Sequence, residues 1–202
     1  MTAAKHHPQA ERWSERAYAD AHAYLAHRAE LVVALGPPLR TGDTVLDLAC
    51  GDGALGDFLP QGIEYRGVDV SEAMVAEATR RGRSVRLGDL NEYEPDEPVA
   101  ATTCFRAIYY ASDRRAFFRR VAGYTERKLV FDLNPRQYRV AEVRADLEDA
   151  GWRCLQLRPF FSPQTRSLPG PVAAALRALE RSGPLARLLL RVRFTYLCAA
   201  AR

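Results

Sequence analysis

Short apolar runs of strand length alternate with longer amphipathic segments along most of the chain. Strands are predicted over residues 43–49, 64–70, 83–88, 99–105, 128–133, 152–159 and 192–200. Helices are predicted over residues 13–35, 54–60, 71–81, 113–124 and 137–150. This regular alternation predicts an α/β fold with a doubly wound, mostly parallel sheet.

The segment from Thr44 to Gly56 predicts a buried strand, a glycine-rich turn and the start of a helix. Gly51 and Gly53 allow positive φ angles and leave the backbone open to a ligand. A helix from about Ala54 would direct its N-terminal amides to the same place. The segment therefore predicts a nucleotide-binding turn at the carboxyl end of the first strand.

Asp47, just before the turn, bears on which nucleotide could bind. The spacing Gly51-x-Gly53-x-x-Gly56 also satisfies the dinucleotide fingerprint, which places a pyrophosphate on the turn. A carboxylate at Asp47 would repel that pyrophosphate but attract a ligand that carries a cation there. The alternative is an ordinary strand–turn–helix with a solvated aspartate.

Residues 45–53, VLDLACGDG, resemble motif I of the class I S-adenosylmethionine-dependent methyltransferases. The resemblance covers about residues 13–160 and resumes at the last strand. It implies a Rossmann-like sheet of seven strands with an antiparallel last strand, and S-adenosylmethionine as cofactor. The residues that it implies for cofactor binding are Asp47, Ala49, Cys50, Gly51, Gly53, Asp69, Val70, Met74, Asp89, Leu90, Cys104 and Phe105.

Three acidic residues at successive strand ends have implied roles in this resemblance. Asp47 would lie near the α-ammonium group, Asp69 would accept the ribose hydroxyls, and Asp89 would accept the adenine amino group. Asp69 would serve a dinucleotide equally well. Met74 fits an adenine wall or plain helix core, and Phe105 would help to exclude water at the sulfonium.

The acceptor side is less defined by the sequence. Displacement at a sulfonium methyl requires mainly proximity and orientation, and we assign no catalytic base. The substrate-side candidates are Tyr18, Arg106, Tyr109, Tyr110, Asn134 and Arg136. Phe105 stands where metal-dependent relatives need a carboxylate, so no metal is expected. Fold-level analogy favours O-methylation of a small molecule.

Residues 160–191 depart from the resemblance, because the family usually joins its last two strands by a tight hairpin. This insert contains several prolines, and helices are predicted over residues 172–181 and 185–190. Two interpretations remain open. The insert is either a surface segment that packs on the sheet or a cap over the substrate cleft.

Composition places limits on the class of protein. A chain of 202 residues, 48% hydrophobic and 27% charged, predicts a single globular domain over residues 1–202, with residues 1–11 as a disordered tail. The net charge of +4 permits anionic partners without requiring them. The arginines within residues 80–86 fit either a solvated helix end or a nucleic-acid contact.

The four cysteines and the absence of a signal sequence indicate the compartment. Cys50, Cys104, Cys154 and Cys198 show no CxxC spacing and are predicted to be small buried hydrophobes in a reducing environment. No apolar run is long enough to span a membrane. We therefore expect a cytoplasmic protein, and the sequence does not predict its oligomeric state.

Other functions are weighed against a small-molecule methyltransferase. The arginines motivate a nucleic-acid methyltransferase, although nucleic acid is not the expected partner. A catalytically silent module could bind a partner through the insert. A nicotinamide dehydrogenase is disfavoured by Asp47 and by the lack of a Tyr-x-x-x-Lys pair, since Lys5 and Lys128 are the only lysines.

Overall fold

The computed structural model describes residues 11–191 and 195–202, and a seven-stranded sheet forms its centre. The strands are β1 (Thr44–Leu48), β2 (Glu64–Asp69), β3 (Val85–Leu87), β4 (Val99–Cys104), β5 (Thr125–Leu133), β6 (Cys154–Phe160) and β7 (Thr195–Ala201). Their order across the sheet is β3-β2-β1-β4-β5-β7-β6. Only β7 runs antiparallel to its neighbours, which confirms the predicted Rossmann-like sheet.

Helices cover both faces of this sheet. They are α1 (Trp13–Ala17), α2 (Ala21–Ala34), α3 (Glu72–Arg80), α4 (Arg114–Tyr124), α5 (Val140–Asp149), α6 (Gly170–Arg181) and α7 (Gly183–Leu189). Two short 3₁₀ helices span Ala54–Asp57 and Ile108–Tyr110. None of the described helices combines the length and the apolar character needed to cross a membrane.

The central strands are buried on both faces, as crossover helices require. Every residue of β4 is buried, and so are the last six residues of β5. On one face Phe117, Phe118 and Trp152 form part of a large apolar core. On the other face Val32 and Leu35 of α2 pack in a second core. The sheet is therefore rigid where its strand ends define the site.

Lys128 is a buried cation that ties α2 to the sheet. Its Nζ donates hydrogen bonds to the carbonyl oxygens of Val33, at 3.2 Å, and Leu35, at 2.7 Å. These carbonyls lie at the C-terminal end of α2, where a cation is favourable. Burial lowers the pKa of Lys128 to about 8. The interaction fixes the helix that later supplies Arg28 to the site.

The predicted helix over residues 13–35 is wrong in one respect, because it is broken into α1 and α2. Tyr18 is extended, with φ −127° and ψ 135°. Asp20 caps α2 by accepting a hydrogen bond from the backbone N–H of Ala23 at 2.9 Å. This local bond competes with helix continuation. The break allows α1 to fold over the glycine turn.

The predicted helix over residues 54–60 is also wrong, because only the single 3₁₀ turn Ala54–Asp57 forms. Pro60 follows soon afterwards and cannot occupy a helix interior. A Cβ on Gly56 would lie 2.8 Å from the Tyr65 ring, so this segment packs tightly against β2. The turn therefore does not present the amide array of a full helix.

Two local predictions need correction, and two more fall partly outside the described residues. A serine at the start of the helix predicted over residues 71–81 is expected to cap it, but the Ser71 side chain makes no capping bond to α3. Cys154 is exposed on the edge strand β6, whereas Cys104 and Cys198 are buried and Cys50 is half-buried; all four are free thiols. Most of the predicted tail, residues 1–10, and the predicted strand start, residues 192–194, lie outside the described ranges.

The insert between β6 and β7 forms the two predicted helices and is fastened to α2 by a buried cluster. His27 Nε2 lies 2.8 Å from Glu180 Oε2, and His27 Nδ1 lies 2.8 Å from Ser162 Oγ. The other oxygen of Glu180 accepts a hydrogen bond from the Phe161 backbone N–H at 2.6 Å. The side chains of His27 and Glu180 are only 3% and 2% exposed. An adjacent pair, Arg181 with Glu30, lies at the surface.

We predict that Glu180→Ala lowers the free energy of unfolding by about 3 kcal/mol, because it removes the buried carboxylate that contacts both the His27 ring and the Phe161 backbone N–H. The matched control Arg181→Ala removes the neighbouring surface ion pair between α6 and Glu30 of α2. It is expected to lower the free energy of unfolding by less than about 1 kcal/mol. Urea unfolding of both variants measures the difference. Equal losses would contradict this role of Glu180.

Candidate functional site

A cavity of about 540 Å³ opens at the carboxyl edge of the parallel strands. The turns after β1, β2, β3 and β4 line it, and α1 and α2 cover it. All of the predicted cofactor residues except Gly53 and Cys104 line the cavity, as do Tyr18, Arg106, Tyr109 and Tyr110. No described residue of the insert lines it. The insert contacts the elements that cover the cavity through α2 and through Ala19, whose backbone N–H donates to the Gln164 carbonyl oxygen at 2.8 Å.

Four predicted site residues lie elsewhere for clear structural reasons. The Cys104 side chain is fully buried in the larger apolar core, and a Cβ on Gly53 would face Ala78 and Arg83 at 3.4 Å. Asn134 accepts a hydrogen bond from the Arg136 backbone N–H at 2.9 Å, which makes an exposed turn after β5.

Asp47 is a buried carboxylate in the cavity wall. Thr103 Oγ1 donates to one carboxylate oxygen at 2.6 Å, and the Tyr65 hydroxyl donates to the other at 3.0 Å. The residue is only 4% exposed. Burial raises the pKa of Asp47 to about 6, although the two hydroxyl donors and the charge of Arg28 oppose this shift. The site therefore holds a negative charge that folding alone does not fully stabilise.

Asp69, at the end of β2, shapes the glycine turn. Its carboxylate accepts hydrogen bonds from the backbone N–H of Gly51 at 2.8 Å and of Ser71 at 2.9 Å. Gly51 has φ +59°, and Ala49 is left-handed at φ +56° although it is not glycine. A left-handed alanine is unfavourable on its own and persists only where its surroundings impose it. The turn is therefore held in one conformation by contacts with β2.

Helix α1 covers this turn through Trp13 and Ser14, which the sequence patterns did not single out. The ring of Trp13 lies 3.4 Å from the position of a Cβ on Gly51, so a side chain there would crowd it. Ser14 donates two hydrogen bonds to the buried Asp52, from N at 3.0 Å and from Oγ at 2.5 Å. Arg81 also donates to Asp52, at 3.0 Å. No local pattern in 11–17 signals this long-range contact.

The other side of the cavity, near β4 and β5, contains a buried ion pair. Arg28 Nη2 donates to Asp132 Oδ2 at 3.1 Å and to the Tyr24 hydroxyl at 2.9 Å. The guanidinium carbon of Arg28 lies 4.3 Å from the centre of the Phe105 ring. The sequence analysis missed Arg28, because an arginine four residues after a tyrosine fits any helix surface.

Arg106 follows β4 and stands beside this pair. Its backbone N–H donates to Asp132 Oδ1 at 2.6 Å, and its φ of +54° is left-handed. Its guanidinium carbon lies 5.8 Å from the Tyr18 ring centre, within the range of a cation–π contact. Tyr18 stacks in turn on Tyr24, with ring centres 4.1 Å apart. The side chain is thereby presented along the cavity wall.

The cavity wall fits a ligand with a cation and several hydrogen-bond donors. Asp47, Asp69 and Asp89 place carboxylates at the ends of β1, β2 and β3. A phosphate bound on this side would face these charges, whereas an ammonium group would relieve the cost of burying Asp47. The described part of the chain contains no cluster of three or more potential metal ligands.

Comparisons with known proteins agree with this geometry. Residues 45–128 match the family model of a methyltransferase domain. The trans-aconitate 2-methyltransferase of Mycobacterium tuberculosis (strain ATCC 25177 / H37Ra) is 26% identical over 155 residues, which are 74% of this chain and 56% of that protein. The chain thus spans about half the length of the curated relatives it matches.

Solved structures share the fold. A chain in the complex between the Haloferax volcanii Trm112 methyltransferase activator and a putative methyltransferase superposes with a TM-score of 0.66 at 22% identity, covering 94% of both chains. The magnesium protoporphyrin IX methyltransferase from Synechocystis PCC 6803 with bound S-adenosylmethionine gives 0.59 at 19% identity, covering 88% of this chain and 79% of that one.

Over residues 45–128 the chain is similar to a methyltransferase domain, which agrees with its resemblance to the class I S-adenosylmethionine-dependent methyltransferases. The sheet order, the glycine turn after β1 and the carboxylates at the first three strand ends are the structural features that carry this similarity. S-adenosylmethionine is the molecule bound in the Synechocystis structure. The donors of that molecule, an ammonium group, two ribose hydroxyls and an adenine amino group, correspond in kind to the acceptors in the cavity wall.

We predict opposite effects of Asp47→Asn on stability and on cofactor binding. The folded-state pKa of about 6 lies above the ordinary value of 3.8, so the stability that this group contributes is present below about pH 4 and is lost as the pH rises through 6. The variant is expected to be more stable at pH 7.5 by roughly 1–3 kcal/mol. It is also expected to bind S-adenosylhomocysteine at least tenfold more weakly, since about 1.4 kcal/mol is one factor of ten.

Thermal unfolding between pH 4 and 8 and calorimetric titration measure the two effects. The matched control Glu148→Gln removes an exposed carboxylate on α5 and is expected to change neither. Loss of affinity together with loss of stability at pH 7.5 would mean that Asp47 is structural.

Proposed function

We propose that this chain transfers the methyl group of S-adenosylmethionine to an oxygen atom of a small organic molecule. The observation that carries the proposal is the cavity at the carboxyl edge of the sheet, about 540 Å³ in volume. Small-molecule sites commonly measure about 300–1,000 Å³. Such a volume suits the cofactor together with a small acceptor better than a macromolecular one.

The residues that would hold the cofactor follow from the acceptor groups in the wall. Asp47 would receive the ammonium group, Asp69 the ribose hydroxyls and Asp89 the adenine amino group. Val70 and Met74 would flank the adenine ring. When bound, the cofactor supplies a methyl carbon activated by a positively charged sulfur. The chain contributes binding, orientation and exclusion of water, which are the main requirements for this displacement.

The acceptor would occupy the side of the cavity near β4 and α1. Tyr18, Tyr109 and Tyr110 provide aromatic walls there, and Arg106 provides a cation. The relative from M. tuberculosis is named for trans-aconitate, which is itself a small molecule. This name supports the class of acceptor rather than its identity, because the two chains share only 26% of their residues over the matched region.

A nucleic-acid acceptor is less well supported, because the arginines that motivated it are paired. Arg81 and Arg83 form ion pairs with Asp57, and Arg86 forms one with Asp96 at 2.7 Å. Paired arginines give a weaker positive field than the clustered basic surface that nucleic-acid binding requires. The charged helix end is therefore interpreted as solvated surface.

Calorimetric titration of the full chain with S-adenosylhomocysteine tests the proposal first. Micromolar binding is expected, with no binding of NADH under the same conditions. A methyl-transfer assay with radiolabelled cofactor then compares small organic molecules, including trans-aconitate, with total RNA. Label transfer to RNA alone would overturn the small-molecule proposal, and binding of NADH alone would overturn the cofactor role of Asp47.

A further inference from the structure

Of the two arginines near β4 and β5, only Arg28 forms an ion pair within the described part of the chain. Arg28 and Arg106 both line this part of the cavity. Asp132 serves both residues, since one oxygen pairs with the Arg28 guanidinium and the other accepts the Arg106 backbone N–H. Arg28 also interacts with the charge of Asp47. In contrast, no carboxylate of the described residues lies within 4.0 Å of the Arg106 guanidinium, and the nearby Asp132 meets only its backbone N–H.

The Arg106 guanidinium is also held in place before any ligand arrives. Its backbone is fixed by Asp132 at 2.6 Å, and its side chain lies against Tyr18, which is stacked on Tyr24. A guanidinium presents a planar fork of donors that matches the two oxygens of a carboxylate. Fixing this fork in advance reduces the entropy lost on binding.

The cavity also lacks an evident base on this side. No histidine is among the described residues that line it. Burial raises the pKa of Tyr109 well above its ordinary value, with a further contribution from Tyr110, so its hydroxyl remains protonated at neutral pH. An alcohol or phenol acceptor would need to lose a proton to a base. A carboxylate acceptor is already deprotonated and needs none.

We propose that the acceptor is a carboxylate, that Arg106 binds it, and that one of its oxygens takes the methyl group. This inference rests on the proposed function. The carboxylate oxygen forms a bond to the methyl carbon while the carbon–sulfur bond breaks and its electron pair stays on sulfur. The products are a methyl ester and S-adenosylhomocysteine, and no proton is transferred.

The test uses the full chain saturated with S-adenosylhomocysteine, so that binding is measured without turnover. Probes are trans-aconitate, cinnamate and benzoate, each compared by calorimetry with its carboxamide. We expect at least one carboxylate to bind more tightly than its amide. Arg106→Gln is expected to weaken that binding roughly 10- to 100-fold, as loss of a charged hydrogen-bonded pair implies. Arg106→Lys is expected to restore part of it.

Controls separate the acceptor from the carboxylate of the cofactor itself. Arg106→Gln is expected to bind S-adenosylhomocysteine and 5′-methylthioadenosine, which lacks the amino acid part, as the native chain does. A loss confined to S-adenosylhomocysteine would assign Arg106 to the cofactor carboxylate and overturn the inference. Arg144→Gln removes an exposed arginine on α5 and is expected to bind every probe normally. If Arg144→Gln also weakened probe binding, the effect of Arg106→Gln would not be specific and the role of Arg106 would be contradicted.

The outcome also separates this inference from the proposed function. Failure of the native chain to bind S-adenosylhomocysteine would overturn both. Two results would overturn the carboxylate acceptor alone, provided that the cofactor binds normally. One is that no carboxylate binds more tightly than its amide, and the other is that the methyl-transfer assay yields no methyl ester. Detection of the methyl ester by mass spectrometry, together with its loss in Arg106→Gln, would support it.

Discussion

The Asp132 carboxylate is the interaction on which the organisation of the site depends. Through one oxygen it neutralises Arg28 of α2, and through the other it fixes the backbone of Arg106 after β4. Three separate elements therefore meet at the end of β5. Such a pair contributes little net stability, because desolvation offsets the attraction, but loss of one partner would strand a buried charge at a cost of about 3–5 kcal/mol. Its role is to set geometry.

The site places opposite charges on its two sides, and this separation follows from the sheet. Carboxylates end β1, β2 and β3, whereas Arg28 and Arg106 stand near β4 and β5. Because parallel strands all end at the same edge, residues far apart in sequence share one cavity. Asp47 has a raised pKa in the folded chain, so the protein retains an electrostatic cost at the place where a cationic ligand group would offset it.

The insert influences the site indirectly. His27 and Glu180 hold α6 against α2, and the next residue of α2, Arg28, lines the cavity. Lys128 holds the end of the same helix against β5. The insert therefore stabilises α2, the helix that supplies Arg28. This favours the interpretation of residues 160–191 as a surface segment packed on the fold over that of a cap lining the cleft.

The sequence by itself predicted the mostly parallel sheet and the glycine turn, because these depend on local periodicity and on residues such as Asp47 and Gly51 that act within a few positions. The antiparallel last strand was implied only by the family resemblance, and the order of the strands comes from the structure. The sequence did not reveal the contact of Ser14 with Asp52 or the pairing of Arg28 with Asp132, which join residues 38 and 104 positions apart. Only tertiary structure decides such pairs, since a polar side chain on a helix has the same local pattern whether it meets water or a buried charge.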